Sequence, residues 1–177
     1  MLAPTHRAFA TASAGVTLLT LSQTTDIFAE SEPTILATQS AIIILVSFFT
    51  ATLPDYDRII PFIRHRGITH AVWIPAIIFY FMWQSIGEPY TFPALLGLFI
   101  GYTSHIVGDA FSTAGIAWFY PIQRYGGSPN GAFWVKGFRG PFLPLYSVGQ
   151  ASVIKPTLIW YGVTFITLFV YIKSVFF

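Results

Sequence analysis

Residues 101–115 read GYTSHIVGDAFSTAG and lie within an otherwise apolar segment that runs from about residue 94 to residue 118. The stretch places His105 and Asp109 four residues apart, and on a helix this spacing puts both side chains on one face. Ionisable side chains are costly inside an apolar span, so the pair is a candidate functional site. The sequence on either side decides which other polar residues reach the same depth.

The composition indicates a membrane protein. Of the 177 residues, 54% are hydrophobic and only 9% are charged, whereas soluble domains contain about 25% charged residues. We therefore predict an all-α, polytopic helical bundle built as one domain over residues 1–177. The chain has no cysteine, which excludes disulfides, thiolate metal sites and cysteine nucleophiles. The net charge of +2 is too small to indicate nucleic-acid binding.

Five apolar segments predict about five transmembrane helices, at residues 8–21, 35–53, 68–86, 94–118 and 157–175. The first segment is short, and a secretory signal peptide is the alternative; the absence of a small-x-small cleavage site after it favours a span. We expect Pro75 to kink the third helix. A long loop rich in glycine and proline, residues 120–156, precedes the fifth segment.

The distribution of charge orients the predicted helices. Lys and Arg precede the first segment and lie in the second and fourth loops, whereas the first and third loops carry only acidic charge. Only Lys173 departs from this pattern. The positive-inside rule therefore predicts a cytoplasmic N-terminus. This orientation brings seven ionisable residues toward the cytoplasmic side, namely His6, Asp55, Asp57, His65, His70, His105 and Asp109.

Imidazole and carboxylate groups without a thiolate suit Zn²⁺, Mn²⁺ or Fe²⁺ as metal ligands. Seven candidate ligands exceed the number that one tetrahedral ion needs, so we expect one or two ions. A two-metal site bridged by an aspartate favours the hydrolysis of phosphate esters. The alternative is that each residue acts alone, as a packing histidine or as a carboxylate in a solvated turn.

Short motifs resemble those of a known family. They are TH at 5–6, LPDYD at 53–57, HRGITH at 65–70, and residues 101–115 followed by WFYP at 118–121. In this order they resemble the YdjM-like family of bacterial inner-membrane proteins, which are regarded as metal-dependent hydrolases. The resemblance implies a multi-pass protein of the bacterial inner membrane whose functional residues are the same seven ionisable side chains.

The order of the motifs is also similar to that of the zinc-dependent phospholipase C and P1 nuclease group. That likeness implies five metal ligands, His6, Asp55, His70, His105 and Asp109. The HxxxE pair that completes a three-metal site in that group is absent, because no His or Glu follows Asp109. Ala71 also stands where the YdjM-like pattern usually has a small hydroxyl residue.

Together these observations predict a metal-dependent hydrolase acting on a phosphoester or lipid-linked substrate at the cytoplasmic interface. Zinc is the favoured ion. We expect Asp57 or His65 to act as a general base or to orient a ligand. We expect Arg66 to bind an anionic leaving group or headgroup.

Three other functions would use the same side chains. A transporter of metal ions or protons requires polar residues that continue to the outer face, where the spans offer little beyond Gln39 and Gln84. A haem protein requires two histidines that face each other near the middle of the membrane. A structural metal site requires only that no coordination position stays open.

Overall fold

The computed structural model describes residues 3–25, 32–63, 65–110, 116–121 and 154–176. Within these ranges lie five α-helices, α1 (Ala3–Thr24), α2 (Pro33–Thr50), α3 (Trp73–Gln84), α4 (Thr91–Ala110) and α5 (Ile154–Phe176). Two 3₁₀ helices, Leu53–Arg58 and Ile68–His70, lie between α2 and α3. These ranges contain no strand, so the prediction of an all-α fold is confirmed.

Helix α1 packs against α2, α4 and α5. Its buried positions are occupied mostly by alanine, glycine and threonine, whose small side chains let neighbouring helices approach closely. The hydroxyl oxygens of Thr5 and Thr157 are 2.7 Å apart, and those of Thr11 and Thr164 are 3.3 Å apart. Because both members of these pairs advance together along the sequence, α1 and α5 run parallel.

Helices α2 and α4 approach each other along two glycines. A Cβ atom at Gly97 would lie 2.8 Å from the carbonyl oxygen of Ile43, and one at Gly101 would lie 2.5 Å from that of Ser47. Both distances are too short for a real side chain, so this approach requires glycine. The pairing also shows that α2 and α4 run parallel, and it therefore places their C-terminal ends at the same end of the bundle.

That end also holds the start of α1, because His6 of α1 lies 3.3 Å from Asp109 near the end of α4. The two 3₁₀ helices pack there as well, against each other and against α3 and α4. The fold thus brings the starts of α1 and α5, the ends of α2 and α4, and both 3₁₀ helices to one end of the bundle.

Within the described ranges, three helical segments are long and apolar enough to cross a membrane: Pro33–Arg58, Thr91–Ala110 and Thr157–Val175. Helix α1 has 22 residues but is less apolar than these three segments, and many of its side chains are buried by other helices. Helix α3 is apolar but has only 12 residues. Three of the described helical segments can therefore cross a membrane, and the predicted number of five is not confirmed.

Two predicted helix boundaries are wrong. Helix α3 begins at Trp73 instead of residue 68, because the preceding residues form a 3₁₀ helix that contributes to the polar cluster. Pro75 consequently lies in the first turn of α3, where a missing N–H costs no helical hydrogen bond, so no kink is needed.

The fourth helix was predicted to reach residue 118, but residues 116 and 117 are not helical. The chain has by then turned back toward α3, because the N–H of Val72 donates to the carbonyl oxygen of Trp118 at 2.8 Å. Most of the predicted loop 120–156 lies outside the described residues, and its last residues belong to α5, which begins at Ile154.

Candidate metal centre

Four side chains from three segments converge at this end of the bundle. Asp55 comes from the first 3₁₀ helix, His70 from the second, and His105 and Asp109 from α4. One potential ligand atom from each lies within 4.8 Å of the other three. The Nε2 atoms of His70 and His105 are 3.2 Å apart. Each of these nitrogens lies 3.7–4.0 Å from Asp55 Oδ1 and from Asp109 Oδ2.

The hydrogen bonds of the two imidazoles determine where their protons lie. Nδ1 of His105 is 2.7 Å from the carbonyl oxygen of Ala51, which can only accept, so this nitrogen carries the proton. Nδ1 of His70 is 3.0 Å from the hydroxyl oxygen of Thr69, whose own proton is donated to Asp57 Oδ2 at 2.6 Å. The Thr69 oxygen therefore accepts a hydrogen bond from His70 Nδ1.

Both Nε2 atoms then present lone pairs toward each other and toward two carboxylate oxygens. Asp55 Oδ1 is buried and accepts no hydrogen bond from the described residues. Four electron-pair donors facing one small volume repel each other unless a cation lies between them. A tetrahedral Zn²⁺ ion with ligands at about 2.0–2.1 Å has ligand–ligand edges of roughly 3.3 Å. The two nitrogens are 3.2 Å apart, and the nitrogen–oxygen distances of 3.7–4.0 Å are somewhat longer. The group therefore fits a metal ion.

Asp57 lies next to the four-atom group and contacts the Nδ1 atoms of two histidines, His65 and His70. Its Oδ1 accepts from Nδ1 of His65 at 2.8 Å, and its Oδ2 accepts from the hydroxyl of Thr69 and, at 3.0 Å, from the backbone N–H of Arg66. The same Oδ2 lies 3.5 Å from Nδ1 of His70. Protein donors thus surround this buried carboxylate. A carboxylate in this position orients the histidine side chains, and metal-bound imidazoles usually have such a carboxylate partner.

His65 lies at the exposed edge of the cluster. Its Nδ1 donates to Asp57, so its Nε2 carries a lone pair, which accepts a hydrogen bond from Nη2 of Arg58 at 2.9 Å. Nε2 is also 3.8 Å from Asp55 Oδ1. A basic imidazole nitrogen therefore lies next to one of the candidate metal ligands.

His6 lies on the opposite, closed side of the cluster. Its ring stacks on that of His105 with centroids 3.8 Å apart, and its Nε2 is 3.3 Å from Asp109 Oδ1. The side chain is fully buried, and neither ring nitrogen has hydrogen-bond geometry with a described residue. His6 thus contacts the carboxylate oxygen that faces away from the four-atom group.

Arg66 is buried and pairs with Asp109, since its Nη2 lies 2.9 Å from Asp109 Oδ2. Its backbone adopts the left-handed conformation, with a φ of 62°. This conformation is unfavourable for a side chain as large as arginine and is found mostly at functional sites. It allows the N–H of Arg66 to reach Asp57 while the guanidinium reaches Asp109.

The structure brings all eight predicted site residues into one cluster. Four of them supply the converging atoms, and the other four surround these: His6, Asp57, His65 and Arg66. Sequence reasoning gave no site role to Thr69, Arg58 or Tyr102, whose hydroxyl donates to the Thr69 carbonyl oxygen at 2.6 Å. Thr69 and Tyr102 lie within quoted motifs and Arg58 directly follows one, and that proximity was the available signal.

The fold and the cluster define a class, that of a helical membrane protein with a buried His/Asp group able to hold a metal ion. The family described as YdjM inner membrane protein matches residues 1–176, and the chain belongs to this family. The match confirms the resemblance that the motifs indicated. No curated protein and no solved structure matches the chain, so its similarity to the phospholipase C and P1 nuclease group stays a prediction.

Proposed function

We propose that this protein is a membrane-embedded, metal-dependent hydrolase of the bacterial inner membrane. Its substrate would be a phosphoester or a lipid-linked molecule at the cytoplasmic face. The observation that carries the proposal is the approach of the Nε2 atoms of His70 and His105 to 3.2 Å beside two carboxylate oxygens. Such a group of acceptors is stabilised by a divalent cation.

Zinc suits this site best. Two imidazole nitrogens and two carboxylate oxygens are typical zinc ligands, and Mn²⁺ or Fe²⁺ are the alternatives. A second possible metal-binding group consists of Asp57, His65 and His70. This second group suits an ion less well. The Nδ1 atoms of His65 and His70 carry protons, and both oxygens of Asp57 already accept hydrogen bonds from the protein. One ion at the four-atom group is therefore the simplest arrangement.

A bound divalent ion would supply Lewis-acid chemistry, polarising a phosphoryl oxygen and activating water. His65 has the geometry of a general base, because Asp57 fixes its tautomer and leaves Nε2 able to take a proton. In the proposed reaction the water oxygen forms a new bond to phosphorus as its proton passes to His65 Nε2. The ester P–O bond breaks, and the proton is returned to the leaving alcohol.

A structural metal site is the second candidate. Four protein ligands complete a tetrahedron, as in closed structural sites, whereas catalytic zinc usually has three protein ligands and one open position. The pairing of Asp109 with Arg66 favours the catalytic alternative, because a carboxylate shared with a guanidinium is a weaker metal ligand. The two candidates differ in whether substrate is turned over.

Metal analysis of detergent-purified wild type, His105→Ala, Asp55→Asn and His65→Gln tests the proposal, together with a phosphoesterase screen that includes lipid substrates. We expect His105→Ala and Asp55→Asn to lose the metal. His65→Gln should keep the metal and hydrolyse about 10²–10⁴-fold more slowly, as expected for loss of a general base.

Unchanged metal content in both ligand variants would refute the metal site. Metal bound by the wild type without turnover of any ester, combined with unfolding when the metal is removed, would favour the structural site. A His65→Gln variant with wild-type turnover would remove His65 from the mechanism.

A further inference from the structure

We propose that Arg58 and the apolar turn behind it form a port for one anionic phospholipid of the adjacent leaflet. The lipid port is defined as Arg58, Ile59, Ile60 and Phe62. It would bind the phosphate group of the lipid at Arg58 and its acyl region along the turn. The bound lipid would be the substrate of the proposed hydrolase, so its turnover rests on that proposed function. Binding of the lipid at the port does not depend on turnover.

The cluster is exposed along only one edge within the described part of the chain. The side chains of His70, His105 and Asp109 are at most 1% exposed, whereas that of Asp55 is 20% exposed and that of His65 is 33% exposed. Arg58 contacts both exposed members of the cluster, Asp55 and His65. A ligand that approaches the cluster along this edge therefore meets Arg58.

Arg58 is a suitable anion-binding group because its contacts are few and exposed. Its side chain is 53% exposed and lies 3.4 Å from Asp55 Oδ1. Its Nη2 and Nε also approach His65 Nε2, at 2.9 and 3.3 Å. A phosphate oxygen would attract these donors more strongly than a neutral imidazole does. Binding of the anion would thus draw Arg58 away from His65 and leave the basic nitrogen free.

Arg66 is less suited to this task. Its guanidinium is buried and pairs with Asp109, so a substrate would have to break a buried ion pair to recruit it. We therefore assign the headgroup contact to Arg58, which the charge pattern alone marked only as a cytoplasmic residue.

The turn that follows Arg58 exposes three large apolar side chains within four positions. Ile59 is 75% exposed, Ile60 is 44% exposed and Phe62 is fully exposed. This turn follows directly after the apolar segment Pro33–Arg58. Exposed apolar residues beside a cation at the end of a span match the chemistry of a leaflet surface, in which acyl chains lie below phosphate groups.

The absence of cysteine makes the apolar part of the port directly testable. A nitroxide on Phe62→Cys, in vesicles of phosphatidylcholine and phosphatidylglycerol, should collide with oxygen and be protected from a water-soluble nickel chelate. A nitroxide on Glu88→Cys, in the exposed turn before α4, is the control and should show the reverse. Strong collision of the Phe62 label with the nickel chelate would overturn the port.

The cationic part is tested by Arg58→Gln, Arg58→Lys and the control Lys173→Gln, which removes an exposed charge near the far end of α5. Native mass spectrometry measures the retention of phosphatidylglycerol relative to phosphatidylcholine. Arg58→Gln should lower this preference about fivefold, as expected for one basic residue near an anionic surface. Arg58→Lys should retain most of it, and Lys173→Gln should not change it.

Equal retention in Arg58→Gln and wild type would overturn the assignment of Arg58. If soluble phosphoesters were hydrolysed while lipid retention stayed unaffected by Arg58→Gln, the port would be wrong and the hydrolase would stand. If lipid retention depended on Arg58 but no ester were hydrolysed, the port would stand and the proposed hydrolase would be wrong.

Discussion

Thr69 illustrates how a single hydroxyl can determine the protonation of a candidate metal ligand. It donates to Asp57 and therefore accepts from His70 Nδ1, which leaves His70 Nε2 unprotonated. Its carbonyl oxygen is fixed in turn by the hydroxyl of Tyr102. The motif HRGITH predicted the two histidines as site residues, because imidazoles are recognisable ligands. It could not predict the role of Thr69, because a threonine before an apolar segment is equally consistent with the start of a helix.

Replacement of Thr69 tests this chain of hydrogen bonds. Thr69→Val keeps the shape of the side chain but removes the acceptor for His70 Nδ1 and the donor to Asp57. We expect metal affinity to fall about 10–100-fold, the usual effect of losing a group that orients a metal ligand. Competition with a chromophoric chelator measures it. Thr69→Ser is the matched control and should bind metal like wild type; equal affinity of the valine and serine variants would contradict the role.

Arg66 and Arg58 allow a comparison of a buried and an exposed arginine in one cluster. In metal-free protein, Arg66→Gln leaves Asp109 buried without its ion-pair partner, and we expect a loss of about 3 kcal/mol in the free energy of unfolding. Arg58→Gln should cost less than about 1 kcal/mol, because its contacts are half exposed to solvent. Denaturant titration in detergent measures both values, and equal losses would show that burial does not control the contribution of these pairs.

At the scale of the elements, helix α4 has two distinct functions along one face. Gly97 and Gly101 permit the approach of α2, and one and two turns further along the helix His105 and Asp109 belong to the candidate metal-binding group. The spacing of four residues between His105 and Asp109 made their shared face predictable from the sequence. The early part of the third predicted helix was not predictable, because residues 68–72 continue an apolar segment, although Ile68–His70 form a 3₁₀ helix that positions His70.

Gly101→Ala should disturb the site through the helix contact. The added Cβ would meet the hydroxyl of Thr50 and the backbone oxygen of Ser47, so α2 must shift. We expect a loss of about 1–3 kcal/mol in the free energy of unfolding, typical of overpacking. Metal binding should also weaken, because Asp55 follows α2 directly.

Gly162→Ala in α5 is the control, since nothing lies within 4 Å of its added Cβ. It should leave stability unchanged or raise it by up to about 1 kcal/mol, the difference in helix propensity. Thermal unfolding and metal titration of both variants measure the effects. A Gly101→Ala protein as stable as Gly162→Ala would show that the α2–α4 contact tolerates a side chain.

At the scale of the whole molecule, the sequence predicted the helical membrane class and the convergence of the ionisable residues toward one end. Both follow from composition and from the alternation of charge between loops, which are properties of the complete chain. The number of spans was harder to predict. Hydropathy detects helices whose surfaces face lipid. Helix α1 is instead covered by other helices, so it needs few apolar residues to lie within the bundle.

The orientation in the membrane stays a prediction, and single cysteines test it because the natural chain has none. Pro4 is exposed at the start of α1, and Glu88 is exposed in the turn before α4. A membrane-impermeant maleimide should label Glu88→Cys in spheroplasts and should label Pro4→Cys only after lysis. The reverse pattern would place the N-terminus, and the metal-binding cluster with it, on the outer side.

The parallel packing of α1 and α5 has a consequence for biosynthesis. Helix α1 is translated before α2, α4 and α5, yet it packs most extensively against α5. Until α5 emerges from the ribosome, the threonines of α1 lack their partners in that helix. Among the described helices only α2 and α4 can then pack against α1, so the contact between α1 and α5 forms after the other contacts of α1.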